Sequence, residues 1–355
     1  MREPPNVPVE HLRAGLRDHF GLADVSLEFL PVGLDANAGV FRVLAARAGE
    51  FLLKVKRGPI YPASRLAPRH LVDQGIAEVV APLPTTRGDL WSAVGASSGW
   101  VLTLYPFIAG ATGWTPPMTD HQWRALGTAL KHIHGAPLPM GGIPTLRMES
   151  FDVAEYSRQV AALDMRYTHA AAAQASDHVE RTLIAHWTAR RPAFLAMLTA
   201  MEQLAAILRR RAGPRVICHA DLHPGNIIRD LAGRVHIIDW DDVMLAPKER
   251  DFLFVADPSD CAEGADALPF FQGYGPAAID WIALTYYLFE RSVTDVIAYA
   301  EEVSVIPDLG ESDRAESARR FSLIFASGYS ADAAWAAASR LPLELRIARD
   351  EDLRS

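Results

Sequence analysis

The stretch that most constrains this chain runs from Val216 to Asp242. It reads Val216-Ile-Cys-His219-Ala-Asp221-Leu-His223-Pro-Gly-Asn226-Ile-Ile-Arg-Asp230-Leu-Ala-Gly233-Arg-Val-His-Ile-Ile-Asp239-Trp-Asp241-Asp242. An apolar run enters a polar loop, and two further apolar runs flank the turn-forming residues Asp230 to Gly233. The pattern predicts a strand, a loop and an antiparallel hairpin. A hairpin centred on that turn sets Asn226 opposite Asp239, and directly opposed residues have Cβ atoms about 4.5–5.5 Å apart. An amide oxygen and a carboxylate would then meet at the open end, with Asp221 on the loop that feeds it. Hard oxygen ligands of this kind hold Mg²⁺. An Asp or Asn at a strand end is commonly a turn former, so only the ordered set in its strand–loop–hairpin context carries chemistry.

Phosphoryl transfer needs this set and little more. Metal ions neutralise phosphate oxygens while a carboxylate orients the attacking hydroxyl and accepts its proton. The string His219-x-Asp221-x-x-x-x-Asn226, followed by Ile238-Asp239-Trp240, resembles the catalytic loop and metal-binding aspartate of the protein-kinase-like superfamily. The resemblance is closest to the aminoglycoside phosphotransferase branch, with its His-Gly-Asp-Leu-His-Pro-Gly-Asn and Ile-Asp-Trp. It implies a catalytic Asp221, metal ligands Asn226 and Asp239, and a nucleotide co-substrate, ATP or GTP, with Mg²⁺. His223 stands where protein kinases carry a lysine, which points to a small-molecule acceptor and to a nucleotide contact. Ala220 replaces the usual glycine and adds a methyl group beside the base.

Upstream residues fit the same resemblance. Lys54, in Phe51-Leu-Leu-Lys-Val-Lys, sits on the third expected strand, as the phosphate-binding lysine of the superfamily does. Lysine is depleted in apolar strands. Lys56 shares its face and is the rival. The partner acid is open between Asp73 and Glu78, neither at a persuasive spacing. The loop Val32-Gly33-Leu-Asp35-Ala-Asn37-Ala-Gly39 could cover phosphates with backbone N–H groups, which assigns Gly33 and Asp35 to the nucleotide. Thr103-Leu-Tyr-Pro-Phe-Ile-Ala-Gly110 resembles the hinge, with the Pro106 carbonyl and the Ile108 N–H facing an adenine edge. Three segments resemble the spectinomycin phosphotransferase subgroup: Arg69 to Ile76, Asp239 to Asp251, and Tyr286 to Asp295. Within them, Arg250-Asp251 reads as an ion pair bracing the hairpin. Glu290 and Asp295 read as solvated helix acids, with contact to a cationic substrate as the alternative.

Periodicity gives the organisation. A helix is expected from Val9 to Phe20, then strands at Val25–Leu30, Val40–Ala45 and Phe51–Lys56, a short helix at Ala67–Gln74, and strands at Ile76–Leu83 and Trp100–Tyr105. Thr119 and Gln122 form a capping box that opens a helix through His134. Helical pattern runs from Phe151 to Arg211 with an interruption near Pro192. It returns at Ile279–Val303 and Arg314–Ser339. The expected class is α+β, a protein-kinase-like two-lobed fold: a β-rich N-lobe at 1–104, a hinge at 105–110 and a helical C-lobe at 111–355.

The 355 residues carry a formal net charge of -8, which disfavours nucleic acid and anionic membranes as partners and suits a cationic small molecule. Two cysteines imply no disulfide framework. The N-terminus has no signal-peptide layout and no apolar run spans a bilayer, so a cytoplasmic monomer or dimer is expected. The favoured activity is phosphorylation of an aminoglycoside or aminocyclitol hydroxyl, with spectinomycin first and antibiotic resistance as the consequence. A metabolic kinase acting on choline, homoserine or a sugar is the alternative. A non-catalytic nucleotide-binding module is the alternative of another class.

Overall fold

The computed structural model describes residues 4–32, 38–94, 99–168, 177–256, 265–306 and 309–346. In chain order the elements are α1 (Val9–Phe20), β1 (Val25–Leu30), β2 (Ala38–Ala45), β3 (Gly49–Arg57), α2 (Ala63–Asp73), β4 (Ser92–Ala93), β5 (Trp100–Pro106), β6 (Gly110–Thr112), α3 (Asp120–Gly135) and β7 (Arg147–Met148). There follow α4 (Ala154–Thr168), α5 (His178–Arg210), β8 (Val216–Cys218), β9 (Ile227–Asp230), β10 (Val235–Ile237), β11 (Met244–Ala246), α6 (Pro269–Tyr274), α7 (Trp281–Ser304), α8 (Glu311–Leu323) and α9 (Ser330–Ala338). The chain divides into two compact units. The first comprises Met1–Met148, Val216–Leu245 and Pro269–Gly275; the second comprises Glu149–Arg215, Ala246–Leu268 and Pro276–Ser355.

In the first unit, β1-β2-β3-β5-β4 form an antiparallel sheet in that order. Phe41, Val43, Leu53, Val55, Leu102 and Leu104 are buried in one cluster with Leu12 and Leu16 of α1. Burying each such side chain stabilises by about 1.5–3 kcal/mol, so this face fixes the register of the sheet. Side chains alternate along a strand, so burying Leu53 and Val55 turns Lys54 and Lys56 to the other face. Lys54 lies on a central strand, paired with Val40 on one side and Thr103 on the other.

A second sheet, β10-β9-β6, carries the hairpin predicted after the polar loop. Its register differs by one residue from the expected pairing. Ile227 pairs with Ile237, Ile228 with His236 and Arg229 with Val235. The Ile238 N–H donates to the Asn226 carbonyl at 2.9 Å, so Asn226 opposes Ile238 and Asp239 follows the pair. The turn accounts for the shift. The Asp230 N–H donates to the Arg234 carbonyl and the Gly233 N–H to the Asp230 carbonyl, which leaves a loop of Leu231, Ala232 and Gly233. Gly233 closes it at φ 82°, the left-handed residue that three-residue hairpin loops use.

Other expectations are also corrected. Residues 76–83 form no strand; they make an isolated parallel bridge, Val79 to Ile237, and the Leu83 N–H donates to the Leu104 carbonyl. This segment turns at Ala77 and Glu78 and then bonds to the hairpin and to β5 without a ladder of its own. Helix α2 starts at Ala63, four residues before the expected Ala67, because Pro62 leads into it at φ -60°. The capping box of α3 forms as expected: Thr119 Oγ1 accepts from the Gln122 N–H and Gln122 Oε1 from the Thr119 N–H.

In the second unit, α5 runs unbroken through Pro192. Proline costs a helix interior about 3 kcal/mol. Here Trp187 and Phe194 flank it, both buried, with ring centroids 4.4 Å apart, and Trp187 also packs on Tyr167 and Phe321. That packing outweighs the lost backbone bond. The expected helix from Arg314 to Ser339 is two helices, α8 and α9, broken where Gly328 takes φ 77°. Glu290 is buried rather than solvated: Tyr286 and Tyr156 hydroxyls donate to it at 3.1 and 3.2 Å, and Arg250 pairs with it. Arg250 thus braces α7 through Glu290, where the sequence suggested a pair with Asp251. Among the described residues no helix is long and apolar enough to cross a membrane.

Candidate active site

The polar loop between β8 and β9 is held by its own side chains. His219 is fully buried; its Nδ1 accepts from the Asp221 N–H at 3.3 Å, which leaves Nε2 to donate to the Ile238 carbonyl at 2.8 Å. The ring also packs on Trp240, with centroids 4.7 Å apart. One imidazole therefore ties the loop to the end of the hairpin. Ala220 turns the chain at φ 72°, the left-handed region that costs a side-chain-bearing residue roughly 1–2 kcal/mol. The usual glycine at this place would avoid that cost.

Beyond the turn, Asp221 and Asn226 meet. Asn226 Nδ2 donates to the Asp221 backbone carbonyl at 2.9 Å and to its Oδ2 at 3.3 Å. This use of the amide nitrogen leaves the amide oxygen as the available metal donor. His223 caps the short 3₁₀ turn Pro224–Asn226 by accepting from the Gly225 N–H at 2.9 Å through Nδ1. Its Nε2 lies 3.6 Å from Asp221 Oδ2 and its ring stacks with Trp114, 6.2 Å between centroids. His223 is thus a neighbour of the expected base.

Asp239 stands at φ 60°, directly after the last hairpin pair. Its Oδ1 accepts from Lys54 Nζ at 2.9 Å, which joins the third strand to the hairpin. Lys54 also donates to Asp241 Oδ2 at 2.7 Å, while Asp241 Oδ1 accepts from Arg65 Nη1 at 2.8 Å. Burial works against the Lys54 ammonium, but Asp239 and Asp241 outweigh it and hold its pKa above the ordinary lysine range. Burial likewise opposes the charge of Asp241, but Lys54 and Arg65 outweigh it and keep its carboxyl below the ordinary range. Lys54 is therefore held by Asp239 and Asp241 rather than by Asp73 or Glu78; Asp73 pairs with Arg69 one helical turn away.

The expected hinge lies at the end of β5. Pro106 pairs with Phe51 and Ile108 is half-buried beyond it. β6 then pairs with β9, Gly110 opposite Asp230. A Cβ on Gly110 would lie 2.0 Å from the Arg229 carbonyl oxygen, so only glycine permits this close approach. Gly33 and Asp35 lie outside the described residues.

The structure thus brings Asp221, His223 and Asn226 together on one loop, and Lys54, Asp239 and Asp241 together beside the hairpin end. Sequence reasoning missed Arg65, which is buried on α2. A charged residue on an amphipathic helix is assigned outward by default, and nothing in the local pattern marks this one.

A lysine on a central strand, bound to the aspartate that follows a His-x-Asp-x-x-x-x-Asn loop and hairpin, defines a protein-kinase-like fold. The chain belongs to the phosphotransferase enzyme family (APH), whose model matches residues 28–284. It is a phosphotransferase of α+β architecture. No curated protein matches its sequence. Among solved structures it is similar to spectinomycin phosphotransferase APH(9)-Ia in complex with ADP and spectinomycin, at 26% identity and TM-score 0.82, over 95% of this chain and 100% of that one. The AMP-bound complex of the same enzyme matches at 25% identity and TM-score 0.74, over 92% and 98%. Amicoumacin kinase hAmiN, in complex with AMP-PNP, Ca²⁺ and Ami, shares the fold at 16% identity and TM-score 0.58, over 90% and 93%.

Proposed function

We propose that this protein transfers the terminal phosphoryl group of ATP to a hydroxyl of spectinomycin or a closely related aminocyclitol, and so confers resistance to it. The observation that carries the acceptor is the full-length similarity, TM-score 0.82, to an enzyme solved with ADP and spectinomycin. The acidic balance of the chain, net -8, suits a cationic acceptor.

In this reading Asp221 orients the acceptor hydroxyl and takes its proton, with the Asn226 amide 3.3 Å and His223 Nε2 3.6 Å from its Oδ2. Lys54 serves the phosphates from β3, and His223 serves the phosphoryl group from beside the base. The donor set fits a magnesium ion: Asn226 and Asp239 offer a neutral and an anionic hard oxygen, and Asp239 already accepts a cation, the Lys54 ammonium. Mg²⁺ held there supplies charge neutralisation of the phosphate oxygens. Pro106 and Ile108 present a backbone carbonyl and N–H to the adenine, with residues 1–104 and 111–355 as the two lobes. Gly33 and Asp35 belong to the proposed phosphate-covering loop.

The test is a transfer screen read by mass, with purified protein, Mg-ATP and, separately, spectinomycin, kanamycin, choline and homoserine. Addition of one phosphoryl group to spectinomycin in preference to the others is expected. Turnover of choline or homoserine alone overturns the acceptor while leaving the chemistry. Transfer to kanamycin but not to spectinomycin retains the family and rejects the subgroup.

A further inference from the structure

Protein kinases hold the phosphate-binding lysine with a glutamate from the helix that follows its strand. Here that helix is α2, and its sole acid, Asp73, is 60% exposed and pairs with Arg69. What α2 turns inward instead is Arg65, 2% exposed, whose Nη1 reaches Asp241 at 2.8 Å and also meets Ser64 Oγ. Its Nε has no hydrogen-bond partner. A buried guanidinium with an unsatisfied nitrogen is costly unless its carboxylate is held firmly. Asp241 is held from both sides along the chain. Trp240 before it is buried and donates to the Ile237 carbonyl at 3.3 Å. Beyond it, the Val243 carbonyl accepts from the Tyr61 hydroxyl at 2.9 Å, and Tyr61 in turn accepts from the Arg147 N–H at 2.8 Å.

We propose that Asp241, anchored by Arg65, is the positioning acid of Lys54, taking over from the loop after Asp239 the task that protein kinases give to a helix glutamate. Both carboxylate oxygens of Asp241 accept from cations, Lys54 at 2.7 Å and Arg65 at 2.8 Å. The charges support a division of labour. Lys54 and Arg65 balance Asp239 and Asp241. With Asp239 given to a metal ion, Asp241 would remain as the carboxylate partner of both Lys54 and Arg65. Arg65 is then a positioning residue that acts through Asp241, and the sign of the buried helix residue is reversed relative to the protein-kinase pair.

The inference rests on the phosphotransfer reading, and the experiment separates the two. Mg-ATP binding is measured by calorimetry without acceptor for the wild type, Asp241→Asn, Arg65→Met, the double variant and Arg65→Lys. Wild-type protein should bind; Asp241→Asn and Arg65→Met should each weaken binding about tenfold, which is about 1.4 kcal/mol. The double variant should be no weaker than Asp241→Asn within about twofold, because both substitutions remove one device. Arg65→Lys keeps a cation on Asp241 and should recover most of the affinity, which a purely structural role for the guanidinium would not allow. In turnover the KM for nucleotide should rise while the KM for acceptor stays put. Wild-type affinity in Asp241→Asn, or additive losses in the double variant, overturns the proposal and leaves the phosphotransfer reading intact. A wild-type protein that binds no Mg-ATP removes that reading, and the proposal with it.

Discussion

Ala220 shows how a single torsion links sequence, stability and site. It stands one residue before the expected base at φ 72°, in a loop otherwise locked by His219 and Asn226. Removing its methyl group relieves about 1–2 kcal/mol of left-handed strain but frees the unfolded chain by about 0.4–1 kcal/mol. Ala220→Gly should therefore raise stability by about 0.5–1 kcal/mol, read as a higher urea midpoint with an unchanged slope. Destabilisation would mean that the Ala220 methyl contributes packing that exceeds the strain. The residue-level motif was legible because its chemistry fixes residue types in order: His219, Asp221, Asn226 and Asp239 fall on the loop and the hairpin end that their spacing implies. The partner acid of Lys54 was not legible. Asp241 is 187 residues from Lys54 in sequence, and Arg65 reaches it only because α2 and the segment after the hairpin come together.

At the level of elements, the hairpin was predicted correctly in place and by one residue wrongly in register. The turn residues Asp230 to Gly233 announce a turn, but only the torsion of Gly233 decides between a three- and a four-residue loop. The unbroken α5 was hidden for another reason: propensity sees Pro192 but not the Trp187–Phe194 contact that spans it. Gly110 marks a close junction, where β6 meets β9. Gly110→Ala places a methyl carbon 2.0 Å from a backbone oxygen, which neither strand can accept without moving. A loss of about 2–4 kcal/mol in urea unfolding is expected, at the upper end of what overpacking costs. A loss under about 0.5 kcal/mol, the range of an ordinary surface substitution, would contradict the close pairing of Gly110 with Asp230.

For the molecule as a whole, the family was legible because the segment from Val216 to Asp242 and one strand lysine were enough to select it, and the family match spans residues 28–284. Acceptor choice is a different matter. It depends on side chains spread over many elements, and a fold shared with an amicoumacin kinase at 16% identity shows how little the fold alone restricts it. In the proposed function, Asp221 promotes phosphoryl transfer from ATP to a spectinomycin hydroxyl. The most direct measurement is the rate of Mg-ATP-dependent phosphorylation of spectinomycin, followed by mass, for the wild type and Asp221→Asn side by side. The wild type should add one phosphoryl group, and the variant should keep its fold and its Mg-ATP affinity while losing about 10²–10⁴-fold in kcat. An Asp221→Asn protein that phosphorylates spectinomycin at the wild-type rate would contradict this role.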